Sequence, residues 1–197
     1  SREVLALANQ YQQHAVMLEG TSHGAAHSDI THVAHLVRQN ERESALVNLL
    51  LMAPGERTLM FVRTRADATG LADRLVHAGF HSLPLSGDLA QHDRNKTLEA
   101  FRSGAISTLV ATDVAARGLD IAHVGRVIHV DPPTDSEGLT HRSGRTGRAG
   151  RKGMSIILVA PSARSRVTQM FRKARIDVTW QPLPSAPDIL RVADERL

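Results

Sequence analysis

Short apolar runs rich in β-branched residues alternate along this chain with stretches that repeat at helical spacing, and this alternation constrains the fold most strongly. TLMFV at Thr58–Val62 reads as a strand buried on both faces. Asp67–Ala78 follows, with Leu71, Ala72, Leu75 and Val76 at helix period. Ser82–Leu85 is a short strand, and Gln91–Phe101 is a helix that turns Leu98 and Phe101 inward. Ser107–Ala111 and Arg126–Val130 are two further strands. Ser136–Arg145 suits a helix, Met154–Val159 a strand, and Ser162–Ala174 a closing helix. Continuously apolar strands separated by helices imply a parallel sheet in an α/β domain. Ligand contacts are then expected on the loops that follow its strands.

A chain of 197 residues that is 42% hydrophobic can bury one full core. Its longest apolar runs, such as Ala45–Ala53, fall far short of a membrane span, and no amino-terminal signal is evident, so no membrane partner is expected. With no cysteine, disulfides, thiol nucleophiles and thiolate zinc sites are excluded, and a reducing, cytoplasmic setting is expected. The net charge of +4 suits a polyanionic partner. Aromatic residues make up only 3%, which argues against base stacking as the main way of holding a nucleic acid. Val4–Tyr11 is amphipathic and Gln12–Asp29 reads as a linker. After Gln181 the pattern breaks at Pro182, Pro184 and Pro187, a sign that the chain leaves the core before a last short helix. The expected division is therefore 1–28, a core at 29–176, and an extension from 177 to 197.

Two ordered motifs carry the chemistry. HRSGRTGRAG at His141–Gly150 spaces Arg142, Arg145 and Arg148 three apart among glycines. On a helix that spacing lines up guanidinium forks suited to phosphate oxygens. Gly144, Gly147 and Gly150 leave room for close backbone approach. A solvated basic loop is the plainer alternative, and His141 could be an ordinary capping or core histidine. Upstream lies ATDVAARGLD at Ala111–Asp120, where a hydroxyl and a carboxylate just past a strand could orient a ligand or cap the next turn. Gln91 and Arg94 sit one turn apart at a helix start, where backbone N–H groups favour an anion. Arg94 could instead pair with Asp93 or Glu99. His23, His27, His32 and His35 raise the idea of a metal site, but the segment has no regular helix and no acidic or cysteine partner, so no metal is expected. Trp180 reads as a packing residue. There is no GxxxxGK[ST] and no DEAD or DExH sequence, so the chain lacks the usual phosphate cradle and magnesium carboxylates.

Together these motifs resemble the second RecA-like domain of the DEAD-box RNA helicases over about Asp29–Ala174. The resemblance implies a RecA-like α/β fold with a central, mostly parallel sheet. Phe61-Val62-Arg63-Thr64 is similar to the family's fourth motif, which implies that Thr64 contacts an RNA phosphate. Ser86-Gly87-Asp88 with Gln91 and Arg94 resembles its GD and QxxR elements, which assigns RNA contacts to Gly87, Gln91 and Arg94; Thr112 receives the same role. In ARGLD, Gly118 and Asp120 would meet the ATP ribose side, and Arg117 would tie the motif to the domain interface. Asp131-Pro132-Pro133 resembles the DxP element. Arg148 is the implied arginine finger, with Arg145 its companion, while His141 and Arg142 would bridge to the first domain. Glu137–Thr140 departs from relatives that carry an aromatic residue there. The implied cofactor is ATP with Mg²⁺, bound mainly by a first RecA-like domain whose last helix the residues before Gly20 resemble. The implied partners are RNA and that domain. A related helicase acting on DNA, or a stand-alone RNA- or protein-binding module, are the competing classes.

Overall fold

The computed structural model of the protein describes residues 29–116, 124–147 and 150–195. Strand and helix alternate throughout. β1 (Ile30–Leu36) precedes α1 (Arg42–Leu51), β2 (Thr58–Phe61) precedes α2 (Arg65–His77), and β3 (Ser82–Leu85) precedes α3 (Gln91–Ser103). β4 (Thr108–Ala111) precedes the short α4 (Asp113–Ala116), and β5 (Arg126–His129) precedes α5 (Ser136–Ser143). β6 (Gly153–Val159) and α6 (Arg164–Ala174) follow, then β7 (Thr179–Trp180) and α7 (Ala186–Asp194). The strands form one sheet in the order β3-β4-β2-β5-β6-β1-β7, and every pair is parallel.

Each strand sorts its side chains by the two-residue period of extended chain. Met60 and Val62 face α1 and α2, packing with Leu46, Leu71 and Ile128. Leu59 and Phe61 face the other way, against Leu98 and Phe101 of α3 and Ala115 of α4. Further along that second face, Leu139 of α5 meets Ile157, Val167 and Phe171. Helices therefore cover both faces, which explains why the strands read as continuous apolar runs.

Two features differ from the sequence reading. β1 is a full strand between β6 and β7, although it was not among the expected strands. Its sequence ITHVAHL hides its character because two histidines interrupt the apolar run, yet His32 and His35 are both buried. His35 Nδ1 lies 3.0 Å from the carbonyl oxygen of Gln181, and His32 meets Phe171 edge-on at 6.1 Å. Residues past 177, expected as an extension leaving the core, instead supply the edge strand. Thr179 and Trp180 pair with Val33 and Ala34, and Asn48 Nδ2 donates to the carbonyl of Pro184 at 2.9 Å.

Arg126, at the start of β5, is a cation that ties the end of α1 to the sheet. Its side chain is only 4% exposed. Nη1 donates to the carbonyl of Leu49 at 2.6 Å, and Nε lies 3.0 Å from Glu56 Oε2. The last carbonyls of a helix lack partners within the helix, and here a guanidinium from the sheet supplies them. Burial pushes the Arg126 pKa down, and Glu56 opposes that shift. Arg126→Ala is expected to cost about 3 kcal/mol, because it strands a buried carbonyl and a carboxylate together. Urea unfolding followed by circular dichroism checks this.

Candidate functional site

Connections leave β2 and β5 in opposite directions, toward β3 at one edge and toward β6 on the other side. Open α/β sheets form a crevice at such a switch point, outside the carboxy ends of the strands. Among the described residues, two clefts open there. One, of about 560 Å³, is on the α4/α5 face and is lined by Phe61, Asp113, Pro133, His141 and Arg145 among others. The second, of about 590 Å³, is on the α1/α2 face.

The first cleft is organised by Arg142. Its Nε and Nη2 donate to the two carboxylate oxygens of Asp113 at 2.6 and 2.7 Å, and Nη1 donates to the carbonyl of Asp131 at 2.7 Å. The guanidinium lies 5.0 Å from the centre of the Phe61 ring. A bidentate, charge-assisted pair with a cation–π contact is the strong form of such an interaction. Arg142 is 5% exposed, so it faces into its own domain. Asp113, the carboxylate just past β4, takes the fork. The sequence reading left Asp113 between orienting a ligand and capping a turn; in the structure it orients Arg142. His141, by contrast, is exposed, with Nε2 3.9 Å from Glu137 Oε1.

Behind Phe61 lies a group that sequence reasoning missed. Phe61 and His129 are register partners on β2 and β5, so their side chains lie side by side and stack at 6.1 Å. His129 is fully buried. Its Nε2 lies 3.1 Å from Ser155 Oγ and 3.4 Å from Ser143 Oγ, and the two hydroxyls are 2.9 Å apart. Burial, then Arg142, then His32 hold the imidazole pKa well below its ordinary value, so it is neutral. This buried cluster fastens the last turn of α5 to the sheet.

The arginine motif does not continue as one helix. α5 ends at Ser143, and the N–H groups of Arg145 and Thr146 bond back only three residues, to Arg142 and Ser143. Arg142 is thus in the last helical turn and Arg145 beyond it, which corrects the expected single helical face. Gly147 of the motif and Gly153 beyond it serve the domain's own packing. Gly147 has φ +63°, and a Cβ there would run into Ile30. A Cβ on Gly153 would strike Thr146 and the backbone of Gly147. Thr146 Oγ1 donates to the carbonyl of Gly125 at 3.0 Å.

The expected RNA contacts gather at the carboxy ends of β2, β3 and β4. Thr64 caps α2 in a capping box, accepting from the Asp67 N–H at 3.1 Å. Gly87 is exposed, with Ser86 and Asp88 hydrogen-bonded beside it at 2.5 Å. Gln91 and Arg94 lie in the first turn of α3. Gln91 Nε2 donates to Asn95 at 2.9 Å. Arg94 Nη2 donates to the carbonyl of Ala115 at 2.7 Å, joining α3 to α4 in place of the Asp93 or Glu99 pairing. Thr112 is buried, and its hydroxyl accepts from the N–H of Ala115 at 3.4 Å. Arg117, Gly118, Asp120 and Arg148 lie outside the described residues, as do His23 and His27.

The model of the helicase conserved C-terminal domain matches residues 41–150, more than half of the chain. The chain belongs to the helicase carboxy-terminal domain family. Relatives that it matches include DEAD-box proteins. It is 41% identical over 145 residues to the ATP-dependent RNA helicase DeaD of Mycobacterium tuberculosis, covering 74% of this chain and 26% of that protein. The chain thus spans about a quarter of the length of that curated relative. Among solved structures it is similar to the E. coli DEAD-box protein SrmB bound to the regulator RraA, with TM-score 0.73, 34% identity, and coverage of 81% of this chain and 93% of that one. It is also similar to S. cerevisiae Dbp5 bound to RNA and ADP BeF3, with TM-score 0.79, 26% identity, and coverage of 99% and 52%. The parallel sheet flanked by helices in this helicase domain is the RecA-like α/β fold of those DEAD-box neighbours.

Two outcomes follow for the helicase domain. Below about pH 6.5, the ordinary histidine value, the unfolded chain takes up a proton that folded His129 refuses. The stability due to this neutral histidine is therefore complete above that pH. It declines as pH falls toward the folded pKa, by up to about 1.4 kcal/mol per pH unit. Urea midpoints from pH 7.5 down to 5 are expected to show this slope, and His129→Gln is expected to flatten it. Gly153→Ala is expected to loosen the arginine loop and destabilise the domain by roughly 1–3 kcal/mol, the usual cost of overpacking, as a thermal melt would read.

Proposed function

We propose that this domain is the second RecA-like half of an ATP-dependent RNA helicase. It grips the RNA backbone and completes an ATP site whose phosphate cradle lies in a partner RecA-like domain. The arrangement that carries this reading is the Arg142–Asp113 clamp. It joins the strand-end motif to the arginine motif and sets Arg145 on the cleft at the switch point. A cleft bearing Arg145 beside the end of β4 suits the phosphates of a nucleotide. Arg145 and Arg148 are assigned to the γ-phosphate, and Gly118 and Asp120 to the ribose side. Magnesium is assigned to the partner domain, because the chain has no DEAD sequence.

Thr64, Gly87, Gln91, Arg94 and Thr112 are assigned to RNA. These residues lie around neighbouring strand ends and a helix start, where backbone N–H groups add to the attraction for phosphate. Arg94 uses one nitrogen on Ala115 and keeps other donors of its fork for a phosphate. Contacts to phosphate and sugar carry no base information, so binding without sequence preference is expected. The relatives fit this reading: DeaD is an ATP-dependent RNA helicase, and Dbp5 has been solved with RNA and a nucleotide analogue.

The experiment is steady-state ATP hydrolysis at saturating RNA. The 197-residue chain alone is expected to hydrolyse no ATP. In a protein carrying both halves, Arg148→Ala is expected to lower kcat by at least about 10³, the lower range for an arginine finger, with ATP still bound. Asp120→Ala is expected to raise KM more than it lowers kcat, since a ribose contact is made about equally in ground and transition states. An unchanged kcat in Arg148→Ala would remove the finger assignment.

A further inference from the structure

The cleft of about 590 Å³ on the α1/α2 face has no part in the reading so far. It opens at the same switch point, along the carboxy ends of β1, β2, β5 and β6. Its charged groups are unevenly matched. Asp131 accepts from Arg42 at 2.8 Å and from the backbone N–H of Arg63 at 3.0 Å. Glu43 is held by Arg74 at 3.1 Å, and Asp67 is engaged in the cap of α2. Every carboxylate among the described residues of the cleft is thus occupied. Two cations remain: the guanidiniums of Arg63 and Arg166 line the cleft and make no hydrogen bond or ion pair with any described residue.

A planar fork with unmatched donors, held at a concave surface, fits an oxyanion. Among the described residues no aromatic side chain lines the cleft, so they offer no platform for a base. Arg63, on the cleft, directly precedes Thr64 in the chain, so the cleft adjoins the position assigned to RNA. We propose that the cleft carries single-stranded RNA beyond the Thr64–Arg94 grip, with Arg63 and Arg166 each receiving a backbone phosphate. This inference rests on the reading that Thr64 and Arg94 hold RNA.

The test measures binding of the 197-residue chain to oligouridylates of about 6 and about 12 nucleotides, within the span of single-strand site sizes, over a range of salt. Wild type is expected to gain affinity with length. R63A/R166A is expected to match wild type on the short oligomer and lose the gain on the long one. Its slope of log K against log salt on the long oligomer should be shallower by about 1.4, at roughly 0.7 per phosphate. Arg94→Ala is expected to weaken both lengths alike and keep the gain, and Arg166→Lys to restore part of it. Unchanged binding of the double variant on the long oligomer, with Arg94→Ala still weak, would overturn the cleft assignment and leave the grip intact. Failure of wild type to bind either RNA would overturn both. Displacement of the long oligomer's extra contacts by polyglutamate as readily as by polyuridylate would overturn the choice of RNA, assigning the cleft to an acidic protein. Circular dichroism confirms that each variant is folded.

Discussion

A buried guanidinium is tolerable only when its donors are matched, and the matching of Arg142 organises this domain. Removing a charge from water costs several kcal/mol, and only close partners in good geometry offset it. Arg142 finds two oxygens of Asp113, one carbonyl of Asp131 and the face of Phe61. Those partners come from the ends of β4, β5 and β2, three adjacent strands in the parallel register. The pair therefore holds only when the sheet is correctly assembled, and the arginine loop takes its position only when the pair is made.

His129 and Arg126 extend the same logic into the sheet. Each is a basic group on β5 that is buried by design, one kept neutral and one kept charged. His129 is fully buried near the Arg142 guanidinium and His32, a setting that penalises a proton. Arg126 has helix-end carbonyls and Glu56 around it, a setting that retains the charge. The two ends of one four-residue strand thus fasten α5 on one face and α1 on the other.

Much of this was legible in the sequence. The strands β2 to β6 declared themselves because strands covered on both faces are apolar without a break. The motif residues Thr64, Gly87, Gln91, Arg94 and Thr112 declared themselves by order and spacing, and the fold gathers them around neighbouring strand ends. β1 stayed hidden because its histidines look polar in sequence, and β7 because two residues beside a proline-rich stretch give no periodic signal. The inward turn of Arg142 was also out of reach. Spacing alone cannot show that a helix ends at Ser143, and the partner carboxylate lies 29 residues away in the chain. The signal available was Asp113 itself, a carboxylate just past a strand.

The loop bearing Arg145 is pinned at two ends of the sheet. Arg142 anchors it where the strands finish, through Asp113 and Asp131, and Thr146 anchors it where β5 begins, through the carbonyl of Gly125. The distance between the anchors is set by the four residues of β5, so the strand acts as a ruler for the loop. One residue added to or removed from β5 would shift one anchor by about 3.3 Å and exchange inward for outward side chains. Length variation in such a domain is therefore confined to the connections on either side of the strand, while the strand and the loop it measures must keep the same count.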